Sequence, residues 1–168
     1  MVDNRAAGKL RRLISELVDE VDALKRLGAE VAEAVESGKR HSMDAPHLAL
    51  LAVRLHRYYT SLERILQRIE RSLGSEPTGG DWHLALLVGA TREIKSVRPA
   101  VLPPTVVGPL REILRFRHFF RHAYAVEFDA VKLRQVAEFV AAIRAQVESA
   151  LIDFTEFLEL AAAELERS

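Results

Sequence analysis

From Leu10 to Val35 the apolar residues Leu10, Leu13, Leu17, Val21, Leu24, Val31 and Val35 are separated by threes, fours and their sums. That spacing draws a single apolar stripe only on an α-helix. It predicts one long amphipathic helix over 1–37, stopped by Gly38 and the polar run to Ser42. A chain built this way must bury the stripe against other helices. The remaining sequence supplies them. Asp44 is placed to cap a second long helix, with Pro46 in its first turn. That helix carries Leu48, Leu51, Leu55, Tyr58, Leu62, Ile65, Ile69 and Leu73 on one stripe. Gly74 to Gly80, with Pro77, reads as a loop. Asp81 then opens a short helix through Trp82, Leu84, Leu87 and Val88.

Pro99, Pro103 and Pro104 punctuate a linker that ends near Thr105. The next helix runs from about Val106 into a segment rich in arginine and histidine and finishes near Tyr124. Asp129 caps a final helix whose Val136, Val140, Ile143, Val147, Leu151, Phe154 and Leu158 face inward. Alternating β-branched runs between tight turns are missing from the sequence. The expected fold class is therefore all-α, an up-and-down bundle of four main helices plus a short one. At 168 residues the chain suits a single domain, 1–168, with a sizeable core.

Composition narrows the function classes. Lys and Arg number 24 and Asp and Glu 24, so the formal net charge is zero. A general nucleic-acid coat would be basic overall, so any RNA contact should be local. The absence of cysteine excludes disulfides and thiolate metal sites and fits a reducing cytosol. Met1 to Arg12 is charged and lacks the apolar core of a signal peptide. No apolar run reaches the ~20 residues that span a bilayer. These features predict a soluble, cytoplasmic protein with no membrane partner.

Chemistry concentrates in Arg117-His118-Phe119-Phe120-Arg121-His122-Ala123-Tyr124. With Arg111 and Arg115 the segment sets four arginines against one acid, Glu112. On an ideal helix Arg117, Arg121 and Tyr124 fall within about 60° of one another, and His118 and His122 form a second row. Arg117 and His122 are about 140° apart, so they converge only where the helix ends or distorts, or across a groove. A cleft between two copies of the helix end would meet that need. The plain alternative is a solvated basic face at a helix C-terminus, where cations favour the macrodipole. Against it, Phe116, Phe119 and Phe120 sit among the charges and would anchor them. Fixed guanidinium groups suit bidentate phosphate recognition, and histidine titrates near neutrality. His118 and His122 at i,i+4 also look like half of a zinc-binding helix. The glutamate of the HExxH motif is missing and Arg121 lies beside the pair, so no metal cofactor is expected.

Arg117, four residues, His122, one residue and Tyr124 match the Arg-x4-His-x-Tyr motif of HEPN ribonucleases, and the chain resembles the HepT-like toxins among them. The polar His118 after the motif arginine also fits. The wider stretch Leu114 to Tyr124, with Trp82-His83 and Arg98-Pro99 upstream, looks like one HepT-like subgroup. The resemblance covers about 44–165, and the first helix looks like an extension. It implies a HEPN-like bundle acting as a homodimer, a metal-independent endoribonuclease with its cleft at the dimer interface. By that resemblance Arg117 grips the scissile phosphate and His122 transfers a proton to or from the reacting oxygens. His118, Arg121 and Arg115 are phosphate-positioning or supporting groups. The resemblance further implies a type VII-like toxin–antitoxin pair acting on tRNA or mRNA. Its partner, a minimal nucleotidyltransferase (MNT), would attach AMP to Tyr124 and switch the nuclease off. The competing function is a non-catalytic HEPN module that binds a nucleotidyltransferase or a nucleotide. Elsewhere, His47, His56, Tyr58 and Tyr59 read chiefly as surface, core or dimer contacts. Trp82 reads as a core plug and His83 as a minor candidate for the cleft border.

Overall fold

The computed structural model describes residues 4–41, 43–74, 76–77, 79–122 and 129–167, with the backbone alone at 4 and 117–122. Among the described residues the chain forms five α-helices and no strand. They are α1 (Asn4–Arg40), α2 (Ala45–Leu73), α3 (Trp82–Ala90), α4 (Val107–His122) and α5 (Ala130–Arg167). A single 3-10 turn, Pro104–Val106, leads into α4. The all-α bundle expected from the spacing is the fold found.

Local chemistry explains the boundaries. The Asp44 carboxylate accepts a hydrogen bond of 3.1 Å from the His47 backbone N–H, which satisfies a donor that α2 leaves open. Gly74 ends α2 in the left-handed region at φ 75°, where a β-carbon is costly. Asp129 caps α5 through backbone donors at Val131 (3.0 Å) and Lys132 (3.1 Å). Asp81 occupies the N-cap position of α3 but makes no side-chain capping bond. Helix α1 differs from its expected stop, continuing through Gly38 to Arg40. A glycine costs a helix only about 1 kcal/mol, which tertiary contacts override. A β-carbon at position 38 would lie 2.8 Å from Met43 Cε, so this glycine serves the close return of the chain into α2.

The core lies where α1, α2 and α5 meet. Leu17 and Leu24 of α1, Leu55, Leu62 and Ile65 of α2, and Val147 and Leu151 of α5 are buried. Each such side chain contributes about 1.5–3 kcal/mol by leaving water. Tyr58 and Tyr59 are buried too, and burial holds the Tyr58 phenol above its ordinary pKa. Arg68 of α2 reaches Glu20 and Glu16 of α1, and Arg11 of α1 reaches Glu166 and Glu159 of α5. Surface pairs of this kind add little stability, though they mark which turns face each other.

Helix α4 lies to one side, packing on α5, α2 and α3 and, among the described residues, not on α1. Its direction follows from chain length. Gln146 of α5 donates a 2.9 Å hydrogen bond to Thr105, just before α4. Ala130 is about 24 Å from Gln146 along α5, and α4 is about as long. Between His122 and Ala130 the chain spans at most about 29 Å. Only an antiparallel α4 satisfies both ends. Val35 and Gly38 of α1, Leu51 of α2, and Arg134 and Glu138 of α5 line one small cavity. The C-terminal ends of α1 and α4 and the N-terminal ends of α2 and α5 therefore gather at one end of the bundle.

Candidate functional site

Helix α4 enters the site with a two-sided character that its described residues define. Leu110, Ile113, Leu114 and Phe116 are buried, whereas Arg111 and Arg115 are exposed. Residues seven apart on a helix lie within about 20° of each other. Arg117 and Arg121 are thus in register with buried Leu110 and Leu114. His118 and His122 are in register with exposed Arg111 and Arg115.

The expected site residues are placed as follows. Arg117, His118, Arg121 and His122 form the last turns of α4. Their side chains lie outside the description, and Tyr124 lies outside the described residues altogether. The helix is continuous from Val107 to His122, so no break between Arg117 and His122 brings them together. Convergence is left to the helix end or to a groove. Arg115 is exposed and paired with Glu112 one turn earlier. That pairing does not prevent it from meeting a phosphate, because an exposed pair exchanges partners at small cost.

Helix α2 carries a second stripe that the apolar spacing does not reveal, and its acids meet α3 and the linker after it. It comprises Ala52, His56, Tyr59, Glu63, Leu66 and Glu70. Glu63 is 6% exposed and Glu70 4% exposed. A buried carboxylate is expensive unless it is paired and hydrogen-bonded. Both have partners from the segment that follows α2. His83, in the first turn of α3, places Nδ1 2.9 Å from Glu63 Oε2, with the Trp82 ring stacked on the imidazole at 3.6 Å. Arg98 pairs with Glu70 and is itself 3% exposed. Its guanidinium also donates to the carbonyls of Arg92 (2.9 Å), Pro99 (3.0 Å) and Gly89 (3.2 Å).

These two buried pairs are what the apolar stripes fail to disclose. A weak signal exists: His56, Glu63 and Glu70 recur every seven residues on a face that is otherwise apolar. Periodic polar residues inside a helix interface ask for partners, but the sequence does not say which. Trp82 is half-buried against the core, as a plug would be. His47 stays at the exposed start of α2 beside Asp44.

A helical bundle bearing an Arg-x4-His-x-Tyr segment at a helix end has the build of the HEPN class. The family model described as HepT-like protein matches residues 50–158, and the chain belongs to this family. No curated protein and no solved structure matches it. Among the described residues no helix is long and apolar enough to cross a membrane.

Proposed function

We propose that the chain is a metal-independent endoribonuclease, the toxin of a type VII-like toxin–antitoxin pair. The observation that carries this reading is the Arg117-x4-His122-x-Tyr124 motif, inside the HepT-like match and at the end of α4. Arg117 holds the scissile phosphate and offsets charge that builds on its oxygens, an effect on the order of 3 kcal/mol. His122 moves a proton at the reacting oxygens. Attack by the RNA 2′-hydroxyl leaves a cyclic phosphate and cannot occur on DNA. His118, Arg121 and Arg115 steady the phosphates on either side.

The continuous helix between Arg117 and His122 supports a cleft formed by two copies of the chain. Each copy then contributes one edge of α4 to a shared groove. Tyr124 is the switch: an AMP group added there by a minimal nucleotidyltransferase places negative charge beside the arginines and competes with RNA. The pair acts in the cytoplasm on tRNA or mRNA.

The test is cleavage of total tRNA and of a model mRNA by purified protein in EDTA. Arg117→Ala and His122→Ala are each expected to abolish the products. Loss of activity in chelator, restored by added metal, would sink the mechanism. Expression in cells is expected to arrest growth, relieved by a neighbouring reading frame with a Gly-Ser…Asp-x-Asp nucleotidyltransferase signature. Sedimentation of the purified chain should give a dimer.

A further inference from the structure

The arginines of α2 are Arg54, Arg57, Arg64, Arg68 and Arg71. Arg68 pairs with Glu16 and Glu20 of α1, and Arg54 reaches Glu30. Arg71 pairs with Glu76 just past the helix end. Arg57 and Arg64 are exposed and have no partner among the described residues. The acids of the helix, Glu63 and Glu70, are both buried. The open side of α2 is therefore basic and carries no acid, in a chain whose 24 cations and 24 anions otherwise cancel.

We propose that this side of α2, continued by the start of α1, is a track for the phosphodiester backbone of the RNA substrate. It is a second place of contact, apart from the Arg/His segment of α4. The choice of ligand rests on the ribonuclease reading above.

Geometry supports a track. Arg57, Arg64 and Arg71 recur every seven residues, so successive side chains are displaced by about 20° around the helix and about 10.5 Å along it. The row covers about 21 Å. Thr60, Ser61 and Gln67 are half-exposed beside it, and such side chains are ordinary donors to phosphate oxygens. The Arg57 end of the row points to the end of the bundle where α4 finishes.

The other end of the row is extended by α1. Pairing of Glu16 with Arg68 and of Glu30 with Arg54 sets α1 antiparallel to α2, so the start of α1 lies beside the end of α2. There Arg5, Lys9 and Arg12 join Arg71 around an open cavity of about 640 Å³. The acid in its wall, Glu16, is already held by Arg68. Arg5, Lys9 and Arg12 stand at i, i+4 and i+7 on one flank of α1, exposed and without partners among the described residues. All three precede the stretch 50–158 that matches the family.

Chemistry favours a polyanion over a protein surface. Protein interfaces are built on a buried apolar and aromatic centre, whereas a backbone track needs cations and small donors in a row. Between Arg57 and Arg71 no large apolar side chain is exposed. Contacts of this kind carry no base information, so the track supplies affinity and register while cleavage stays with α4.

Fluorescence anisotropy with a 2′-O-methyl RNA, which cannot be cut, tests the track across a salt series. The double variant Arg57→Gln, Arg64→Gln is expected to keep its melting temperature and to bind about tenfold more weakly or worse. The slope of log affinity against log salt should shrink by about 1.4, the value of two phosphate contacts on a single strand. Arg5→Gln, Lys9→Gln and Arg12→Gln together should shrink it by about 2. The control Lys25→Gln, Lys39→Gln removes two exposed cations elsewhere on α1 and should leave affinity and slope as in wild type. Wild-type affinity in both track variants overturns the proposal. So does an equal loss in the control, which would reduce the effect to overall charge. Track variants that keep RNA affinity but lose binding of poly-glutamate assign the face to an acidic protein and overturn it too. Cleavage is read separately: a wild type that binds RNA through the track yet never cuts it overturns the ribonuclease reading and leaves the track standing.

Discussion

Glu63 and Glu70 are two turns apart on the same stripe of α2, yet the pairs they form are built differently. Arg98 is enclosed, with three backbone carbonyls and Glu70 around its guanidinium. It gathers the end of α3, the following turn and α2 into one knot. His83 has a carboxylate at one ring nitrogen, a stacked indole on its face and some access to solvent. The difference teaches that burial of charge alone does not mark a site. A guanidinium held by a carboxylate and several backbone carbonyls is a fastening, whereas an imidazole held by a carboxylate and a stacked ring is tied to side chains alone.

The comparison can be broken at its strongest point first. Arg98→Ala leaves Glu70 buried beside three emptied carbonyls, and chemical denaturation should report a loss of about 3–5 kcal/mol. A loss under 1 kcal/mol would mean the knot is no fastening. His83→Asn, by contrast, should cost under about 1 kcal/mol, since the amide replaces the hydrogen bond. If it destabilises as much as Arg98→Ala, the two pairs are the same kind of feature. The smallest effect is expected away from both, at the start of α2. Hydrogen bonds from the His47 side chain and backbone hold the Asp44 carboxyl below its ordinary pKa. A depressed value means this cap stabilises the fold above the usual aspartate range and loses its effect as pH falls through it. Asp44→Ala should therefore lower the melting temperature slightly at pH 7. The gap from wild type should narrow below about pH 3.9.

The helices were legible because each carries its own punctuation. Asp44 and Asp129 accept from the turns they precede, and the seven inward positions expected of α5 are all buried. The stop of α1 was less legible, because the use of Gly38 is set by Met43, which returns onto it from the link into α2. Of the site, the arginine and histidine spacing was readable and the partners across from it were not. Glu63 and Glu70 look like ordinary surface acids in a stripe analysis that counts only apolar residues. Their burial depends on α3 and the linker folding back along α2.

What the sequence determined by itself was the set of helices, their order and the motif on α4, since periodicity, caps and short spacings are local properties. The tertiary structure decided the rest. Packing of α4 on α2, α3 and α5 buried Leu110, Ile113 and Leu114 and left Arg111 and Arg115 exposed. The return of α3 along α2 brought His83, 20 residues away in the chain, to Glu63. Buried polar pairs of that kind are chosen by the cost of burying each member alone, and only the packed bundle sets that cost.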